Sequence, residues 1–170
     1  IWNLAEEQGV KAACFYWPGS DTGVKSASIF KEYDESVSYE NRVNTVIDWL
    51  NLPEAERPHL ITLYFDQPDE TGHNHGPLSE ENKKMVPKVD AVIGQLMQKL
   101  DALPIGKEIN LIVVSDHGMA PISNDKKVAL LEYLKPEWLG YAAVINPIMS
   151  VEAKPAYKDS IANALKKVPH

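Results

Sequence analysis

Apolar and polar positions along the chain follow two periods, one typical of amphipathic helices and one typical of buried strands. The segment IWNLAEEQG has the spacing of a short amphipathic helix, with Gly9 at its C-terminal cap. The run VKAACFYW predicts a buried strand over residues 12–17, ended by Pro18 and Gly19. Residues 19–38 are rich in glycine, serine and charged side chains and predict a loop with little regular structure.

The middle of the chain continues this alternation. Ser38 is placed to cap a helix whose apolar stripe runs from Val43 to Leu50. The continuous apolar run HLITLYFD predicts a strand over residues 59–66 that is buried on both faces. A second such run, NLIVVS, predicts another buried strand over residues 110–115.

A long helical pattern lies between these two predicted strands, with apolar side chains recurring from Val89 to Leu100. Pro87 indicates that this helix starts or kinks near that residue. Further on, YAAVINPIMSV predicts one more strand and KPAYKDSIANALKKV a last helix. Because strands and helices alternate, the sequence predicts an α/β fold with a mainly parallel central sheet flanked by helices.

Composition narrows the function classes. A chain of 170 residues is long enough for one domain with a real core. Its net charge of -7 argues against a nucleic-acid duplex as partner, although bound metal cations would reverse the local sign for an anionic ligand. Cys14 is the only cysteine, which excludes an intramolecular disulfide. No apolar run approaches the ~20 residues of a membrane span.

The chain begins with Ile1 rather than methionine, inside a predicted helix. We therefore expect the true N-terminus of the gene product to lie elsewhere. The absence of a signal peptide here consequently says nothing about the compartment.

Candidate metal ligands follow two of the predicted strands. Asp69 and His73 come after the strand at 59–66, and Asp116 and His117 come directly after the strand at 110–115. Ligands in open α/β sheets bind beyond the carboxyl ends of the strands, so these four side chains are expected to converge at one edge. Either motif alone is equally typical of an ordinary loop or turn.

The motifs leave the metal site incomplete by themselves. A catalytic zinc ion takes three protein ligands and keeps a fourth position open, so four ligands cannot fill two such sites. His75 lies two residues from His73, and in an extended backbone the two would point alike; a packing or supporting role is the simpler interpretation. Asp66 is placed to orient a ligand or to contact substrate.

The sequence YFDQPDETGHNHGP followed by VVSDHGM resembles the nucleotide pyrophosphatase/phosphodiesterase family of the alkaline phosphatase superfamily. FYWPGSD, ENRVNTVIDWL and NKKMVPKVDAVIGQLM resemble the same family in the same order, over roughly residues 1–125. The resemblance implies an alkaline phosphatase-like α/β fold. It also implies that residues 1–170 are part of a phosphodiesterase catalytic domain, with 126–170 as the start of an inserted or peripheral region.

The resemblance implies two zinc ions, one held by Asp69 and His73 and the other by Asp116 and His117. It places the family's threonine nucleophile before the region that matches Ile1, and further metal ligands outside the chain as well. No catalytic nucleophile is therefore expected within these residues, and the isolated 170-residue chain is expected to be inactive.

Trp17, Pro18 and Tyr33 match positions that line the nucleotide pocket in this family, and Asp66 is expected to join them at the substrate. Tyr33 aligns with an aromatic residue that stacks on the base, a contact that tolerates any base. The partner implied is a small phosphodiester or nucleotide. The family suggests a periplasmic or extracellular location.

Two other interpretations stay open at this point. The protein is then either another hydrolase or a phosphomutase of the alkaline phosphatase superfamily, or a catalytically inactive metal- or nucleotide-binding protein. The identity of the nucleophile upstream distinguishes all three, because a phosphodiesterase of this family requires a threonine there.

Overall fold

A computed structural model of the protein describes residues 1–22, 27–123, 125, 127–145 and 148–168. The chain divides into two compact units, Ile1–Pro121 and Ile122–His170. This boundary lies close to residue 126, where a peripheral region is predicted to begin. Whether residues 1–170 belong to one catalytic domain stays a prediction.

The N-terminal unit alternates helices and strands in this order: α1 Trp2–Glu7, β1 Ala12–Phe15, β2 Ile29–Lys31, α2 Tyr39–Leu50, β3 Leu60–Leu63, α3 Asp69–His75 and α4 Glu80–Asp101. The three strands form a parallel sheet in the order β2-β1-β3. Cys14 of the central strand lies opposite Phe30 on one side and Thr62 on the other. The predicted α/β fold with a parallel sheet is confirmed.

The core lies between the sheet and the helices α2 and α4. All four residues of β1 are buried, because the strand has a neighbour on each side and helices against the sheet. The buried cluster comprises Ala13, Phe15, Tyr16, Val43, Val46, Trp49, Leu50, Leu96 and Leu100. Serine side chains cap the two helices that supply this cluster. Ser38 accepts a hydrogen bond from the backbone N–H of Asn41, and Ser79 accepts one from the backbone N–H of Asn82.

Three sequence expectations need correction. Residues 110–115 are not a strand, because a strand requires a hydrogen-bonding neighbour and the described residues place none there; residues 111–114 remain exposed. Within the predicted loop 19–38, residues 29–31 form β2 beside β1, and residues 23–26 lie outside the described part. Of the two alternatives given for Pro87, a helix start is wrong, because the helix begins at Glu80, where Ser79 caps it; Pro87 lies inside the helix, and a kink there stays a prediction.

The C-terminal unit contains β4 Leu139–Ile145, β5 Ile148–Ala153 and α5 Lys158–Leu165. The single strand predicted over YAAVINPIMSV is instead two antiparallel strands; residues 146–147 lie outside the described part. Helix α5 confirms the predicted last helix. Trp138 stacks on Tyr157 with the ring centroids 6.3 Å apart. Among the described helices, none combines the length and hydropathy that a bilayer crossing requires.

Glu6 of α1 connects the starts of two neighbouring strands. Its carboxylate accepts hydrogen bonds from the amide of Ala12 (2.8 Å) and the amide of Ser28 (2.9 Å). The Ser28 hydroxyl also donates to it, at 2.8 Å. These hydrogen bonds, with the Ala12 amide first, lower the pKa of Glu6 below its ordinary value because they stabilise the charged form.

We expect Glu6→Gln to lower the free energy of unfolding at neutral pH by about 1 kcal/mol, since charge-assisted hydrogen bonds become neutral ones on a half-exposed side chain. A lowered pKa stabilises the fold above the ordinary glutamate pKa, and this contribution is lost as the pH falls through the folded-state pKa. The difference between wild type and variant should therefore vanish in acid, measured by urea unfolding across pH. Exposed Glu54→Gln is the matched control, and an equal effect of both substitutions would contradict the assignment.

Candidate metal and substrate site

The stretch after β3 forms a short helix rather than a turn. Asp69 is the first residue of α3 and His73 lies four residues later, so both side chains lie on one face of the helix. The Nε2 atom of His73 is 3.5 Å from Oδ1 of Asp69. Both side chains are exposed enough to accept a ligand from solvent, at 70% for His73 and 44% for Asp69.

The segment that contains Asp116 and His117 lies against the same face of α3. Nε2 of His117 is 3.8 Å from Oδ1 of Asp69 and 3.7 Å from Oδ2 of Asp116. The Asp69 carboxylate therefore faces the imidazoles of both His73 and His117, and Asp116 lies beside His117. The expected convergence is observed although residues 110–115 do not form the predicted strand.

The tautomer of His117 follows from its neighbours. Its Nδ1 lies 3.0 Å from the carbonyl oxygen of Gly118, which only accepts hydrogen bonds, so Nδ1 carries the proton. The neutral ring then presents the lone pair of Nε2 to the site, as metal-ligating histidines do. The Gly118 contact, followed by the Asp116 carboxylate, raises the pKa of His117.

The donor set suits zinc, which binds imidazole nitrogen and carboxylate oxygen. Oδ1 of Asp69 is shielded from water and makes no hydrogen bond among the described residues, and two imidazole nitrogens face it. However, no group of three or more histidine, cysteine, aspartate or glutamate side chains in the described part of the chain is arranged to hold a metal alone. The residues fit as two pairs, each short of the three ligands that a catalytic zinc requires.

His75 does not accompany His73. Because the backbone here is helical, two residues correspond to about 200° of rotation, so the two imidazoles point to different sides. The expectation that they point alike in an extended backbone is therefore wrong. His75 is exposed, and among the described residues no ion pair joins it to any of the four motif residues.

A cavity of about 440 Å³ opens beside Asp69. It is lined by Tyr33, Glu35, Tyr64, Asp66, Asp69 and Glu70. Tyr33 is half-exposed, and its ring packs on Tyr16 with the centroids 5.1 Å apart. Partial burial, then the Asp66 carboxylate, raises the pKa of Tyr33.

Trp17 and Pro18 do not line this cavity. Trp17 is half-buried and Pro18 is exposed, in the turn that closes when the Ser20 amide donates to the Trp17 carbonyl. Their predicted contact with substrate, like that of Tyr33 and Asp66, stays a prediction.

Arg42 of α2 is the buried charge beside this cavity, with only 1% of the residue exposed. Its guanidinium donates to the carbonyl of Val37, the carbonyl of Tyr64 and the carboxylate of Asp66, at 3.1, 3.1 and 2.9 Å. It also lies between two aromatic rings, 4.9 Å from the centroid of Tyr16 and 4.7 Å from that of Tyr39. The ion pair between Arg42 and Asp66 ties the end of β3 to α2.

Both carboxylate oxygens of Asp66 accept hydrogen bonds. Oδ1 accepts from Arg42, and Oδ2 accepts from the Tyr39 hydroxyl at 2.9 Å. Burial, then the hydrogen bond to Asp66, raises the pKa of Tyr39. The Tyr39 oxygen in turn accepts from the amide of Gln67, at the residue before Pro68 and α3. Asp66 therefore orients the start of the α3 segment.

Comparison with known proteins agrees with this geometry. The family model described as type I phosphodiesterase/nucleotide pyrophosphatase matches residues 1–169. The chain belongs to this family. Member 1 of the mouse ectonucleotide pyrophosphatase/phosphodiesterase family is 46% identical over 136 residues, which are 79% of this chain and 15% of that protein. Venom phosphodiesterase CdcPDE from Crotalus durissus collilineatus is 44% identical, over 79% of this chain and 16% of that protein.

Solved structures extend the likeness to the fold. Murine ectonucleotide pyrophosphatase/phosphodiesterase 5 superposes with a TM-score of 0.82 at 31% identity, covering 97% of this chain and 44% of that one. An inactive threonine-to-alanine variant of the same murine protein, in complex with AMP, gives a TM-score of 0.79. The alkaline phosphatase-like fold is thereby confirmed. The chain spans about 15% of the length of the curated relatives and under half of the length of the solved chains.

The sequence patterns did not predict five residues in or beside the cavity: Glu35, Tyr39, Arg42, Tyr64 and Glu70. Arg42 directly precedes Val43, and only the apolar side chains of this segment predicted the helical stripe. The available signal was Asp66 itself, a carboxylate that directly follows a buried strand and requires a cation or a hydrogen-bond donor.

For this phosphodiesterase-family protein we expect Arg42→Met to lower the free energy of unfolding by about 3 kcal/mol, because the Asp66 carboxylate loses its cation in a half-buried place. Urea unfolding measures the loss. Combining it with Asp66→Asn should recover part of it, since no charge is then left unpaired.

Arg57→Met is the matched control, because half-buried Arg57 makes a single side-chain hydrogen bond among the described residues, to the carbonyl of Leu52 at 3.2 Å. We expect it to cost no more than about 1 kcal/mol. Equal losses from the two arginine substitutions, or strictly additive losses in the double variant, would contradict the role given to Arg42.

Proposed function

We propose that the protein containing this chain hydrolyses phosphodiester or pyrophosphate bonds in nucleotides or related substrates with the aid of two zinc ions. The observation that carries the proposal is the convergence of two aspartate–histidine pairs around the buried Oδ1 of Asp69. Family membership agrees with this reaction class.

Asp69 and His73 would hold one zinc ion, and Asp116 and His117 the other. Such ions stabilise the attacking and leaving oxygens of an in-line displacement and neutralise charge on the phosphoryl group. The chain's own contribution is to orient the ligands: the Gly118 carbonyl fixes the tautomer of His117, and α3 holds Asp69 and His73 on one face. The remaining ligands and a threonine nucleophile are expected elsewhere in the protein.

The cavity beside Asp69 would receive the nucleotide. Tyr33 offers a half-exposed ring, backed by Tyr16, on which a base can stack. Support comes from the murine relative whose inactive threonine-to-alanine variant is in complex with AMP. In that protein a threonine is needed for activity, in agreement with a threonine nucleophile here and against an inactive binding protein. The relatives' names, ectonucleotide and venom enzymes, support a periplasmic or extracellular location.

We expect the combined substitution of Asp116 and His117 by alanine to lower turnover of p-nitrophenyl thymidine monophosphate by the full-length protein by about 10²-fold or more, because one ion loses both of these ligands. The assay is run with added zinc. Exposed His75→Ala is the matched control, on the other side of α3 from His73. Full activity after loss of Asp116 and His117 would refute the site.

The isolated 170-residue chain should show no more than trace turnover of the same substrate in the same assay. Each aspartate–histidine pair has fewer than three ligands, and positioning supplies much of the rate in such transfers. Folding of the isolated chain is checked by circular dichroism. Turnover comparable to that of the full-length protein would contradict the expectation that the nucleophile lies outside these residues.

A further inference from the structure

The N-terminus of α3 has no ordinary cap. The first backbone N–H groups of a helix have no acceptor within the helix, and a serine, threonine, aspartate or asparagine directly before the helix commonly accepts from one of them. The residue at this position is Pro68, whose side chain makes no capping hydrogen bond. Another group must therefore accept from the first turn of α3, the helix that carries the proposed zinc ligands Asp69 and His73.

Gln67 takes this role from the position before the proline. Its side-chain Oε1 accepts from the backbone N–H of Thr71, at 3.2 Å, and from the Thr71 hydroxyl, at 2.6 Å. Its Nε2 donates to a carboxylate oxygen of Glu70, at 2.8 Å. The partners fix which end of the amide group is the oxygen, because a backbone N–H only donates and a carboxylate only accepts. Both ends of the half-buried Gln67 side chain are thus held by the first turn of α3.

The backbone of Gln67 is held separately, by the buried network beside the cavity. Its N–H donates to the Tyr39 hydroxyl at 3.1 Å, and that hydroxyl donates to Asp66 at 2.9 Å. Asp66 in turn pairs with Arg42, of which 1% is exposed. Gln67 therefore joins α2 to α3, because Tyr39 of α2 fixes its main chain and its side chain fixes the first turn of α3.

This arrangement leaves the Asp69 carboxylate available to a ligand. An aspartate at the start of a helix can itself accept hydrogen bonds from neighbouring backbone N–H groups. Here Gln67 occupies the Thr71 N–H, and Oδ1 of Asp69 makes no hydrogen bond among the described residues. Oδ1 instead faces Nε2 of His73 at 3.5 Å and Nε2 of His117 at 3.8 Å. The glutamine cap and the orientation of the aspartate are thus linked through one backbone N–H.

We propose that Gln67 is a positioning residue: by capping α3 it holds Asp69 and His73 in the orientation that binds zinc. The proposal rests on the proposed function, because it gives these two residues to a metal ion. Without the glutamine side chain, the Thr71 N–H is free to bond with the Asp69 carboxylate, which then turns away from the two imidazoles.

The test compares the full-length wild-type protein with Gln67→Ala, which removes the cap and keeps the backbone N–H that donates to Tyr39. We expect zinc affinity, measured by competition with a chromophoric chelator, to fall about 10–100-fold, as when residues that orient metal ligands are altered. The visible absorption spectrum of the cobalt-substituted protein should change as well, since it reports the geometry of the ligands. In the zinc-free protein, hydrogen exchange followed by mass spectrometry should be faster over residues 69–75.

A second pair of variants tests the hydrogen bonds themselves. Gln67→Glu keeps an oxygen for Thr71 but places a carboxylate against Glu70, so we expect part of the loss. Adding Glu70→Gln exchanges the donor and the acceptor of that hydrogen bond at unchanged net charge. We expect the double variant to bind zinc more tightly than Gln67→Glu alone and to recover the wild-type cobalt spectrum. Because Glu70 lines the cavity, zinc affinity rather than turnover is the measurement.

Glu6→Gln is the matched control for a general loss of stability. It weakens hydrogen bonds to the backbone N–H groups of Ala12 and Ser28, at the starts of two strands rather than at α3. We expect it to leave zinc affinity, the cobalt spectrum and the exchange over residues 69–75 unchanged.

The outcomes separate this inference from the proposed function. A wild-type protein that binds no zinc overturns the proposed function. Zinc bound normally by the wild type and equally well by Gln67→Ala overturns the positioning role alone, and so does an equal loss in Glu6→Gln. If Gln67→Ala does not fold, the second pair decides, since a double variant that binds zinc no better than Gln67→Glu overturns the role.

Discussion

A guanidinium group removed from water must have its charge and its hydrogen-bond donors satisfied, and this requirement organises the N-terminal unit around Arg42. Its partners come from the loop before α2, from the end of β3 and from Asp66, while two aromatic rings cover it. Each partner must lie where the arginine can reach it. The position of the chain as it leaves β3 is therefore fixed by α2.

The burial of Arg42 gives different roles to two carboxylates, Asp66 and Asp69, which are three residues apart. Asp66 has both oxygens engaged by Arg42 and Tyr39, so it is not available to a metal ion. Asp69 keeps Oδ1 free of hydrogen bonds among the described residues and turned toward two imidazole rings. Aspartate thus has a structural role at residue 66, where it pairs with Arg42, and a proposed ligand role at residue 69.

Local patterns predicted the elements that carry either a continuous apolar run or an apolar helical stripe. They gave β1, β3, α2 and α4, and they singled out the four motif residues. They failed at residues 110–115, since an apolar run describes a potential for burial and not the presence of a partner strand. They also missed β2, whose three residues have no periodicity to detect, and Arg42, whose burial depends on Asp66 across 24 residues of sequence.

The charge of the cavity gives an independent reason for metal ions at this site. Its lining carries four carboxylates, at Glu35, Asp66, Asp69 and Glu70, and Arg42 compensates Asp66 alone. Among the described residues, no lysine or arginine side chain lines the cavity to attract an anion. A phosphodiester would be repelled by such a surface, since like charges at close range are unfavourable even when partly screened. Under the proposed function, cations held by Asp69 and Asp116 would reverse the sign next to the cavity, so metal binding and binding of an anionic substrate would be coupled by electrostatics before any chemistry begins.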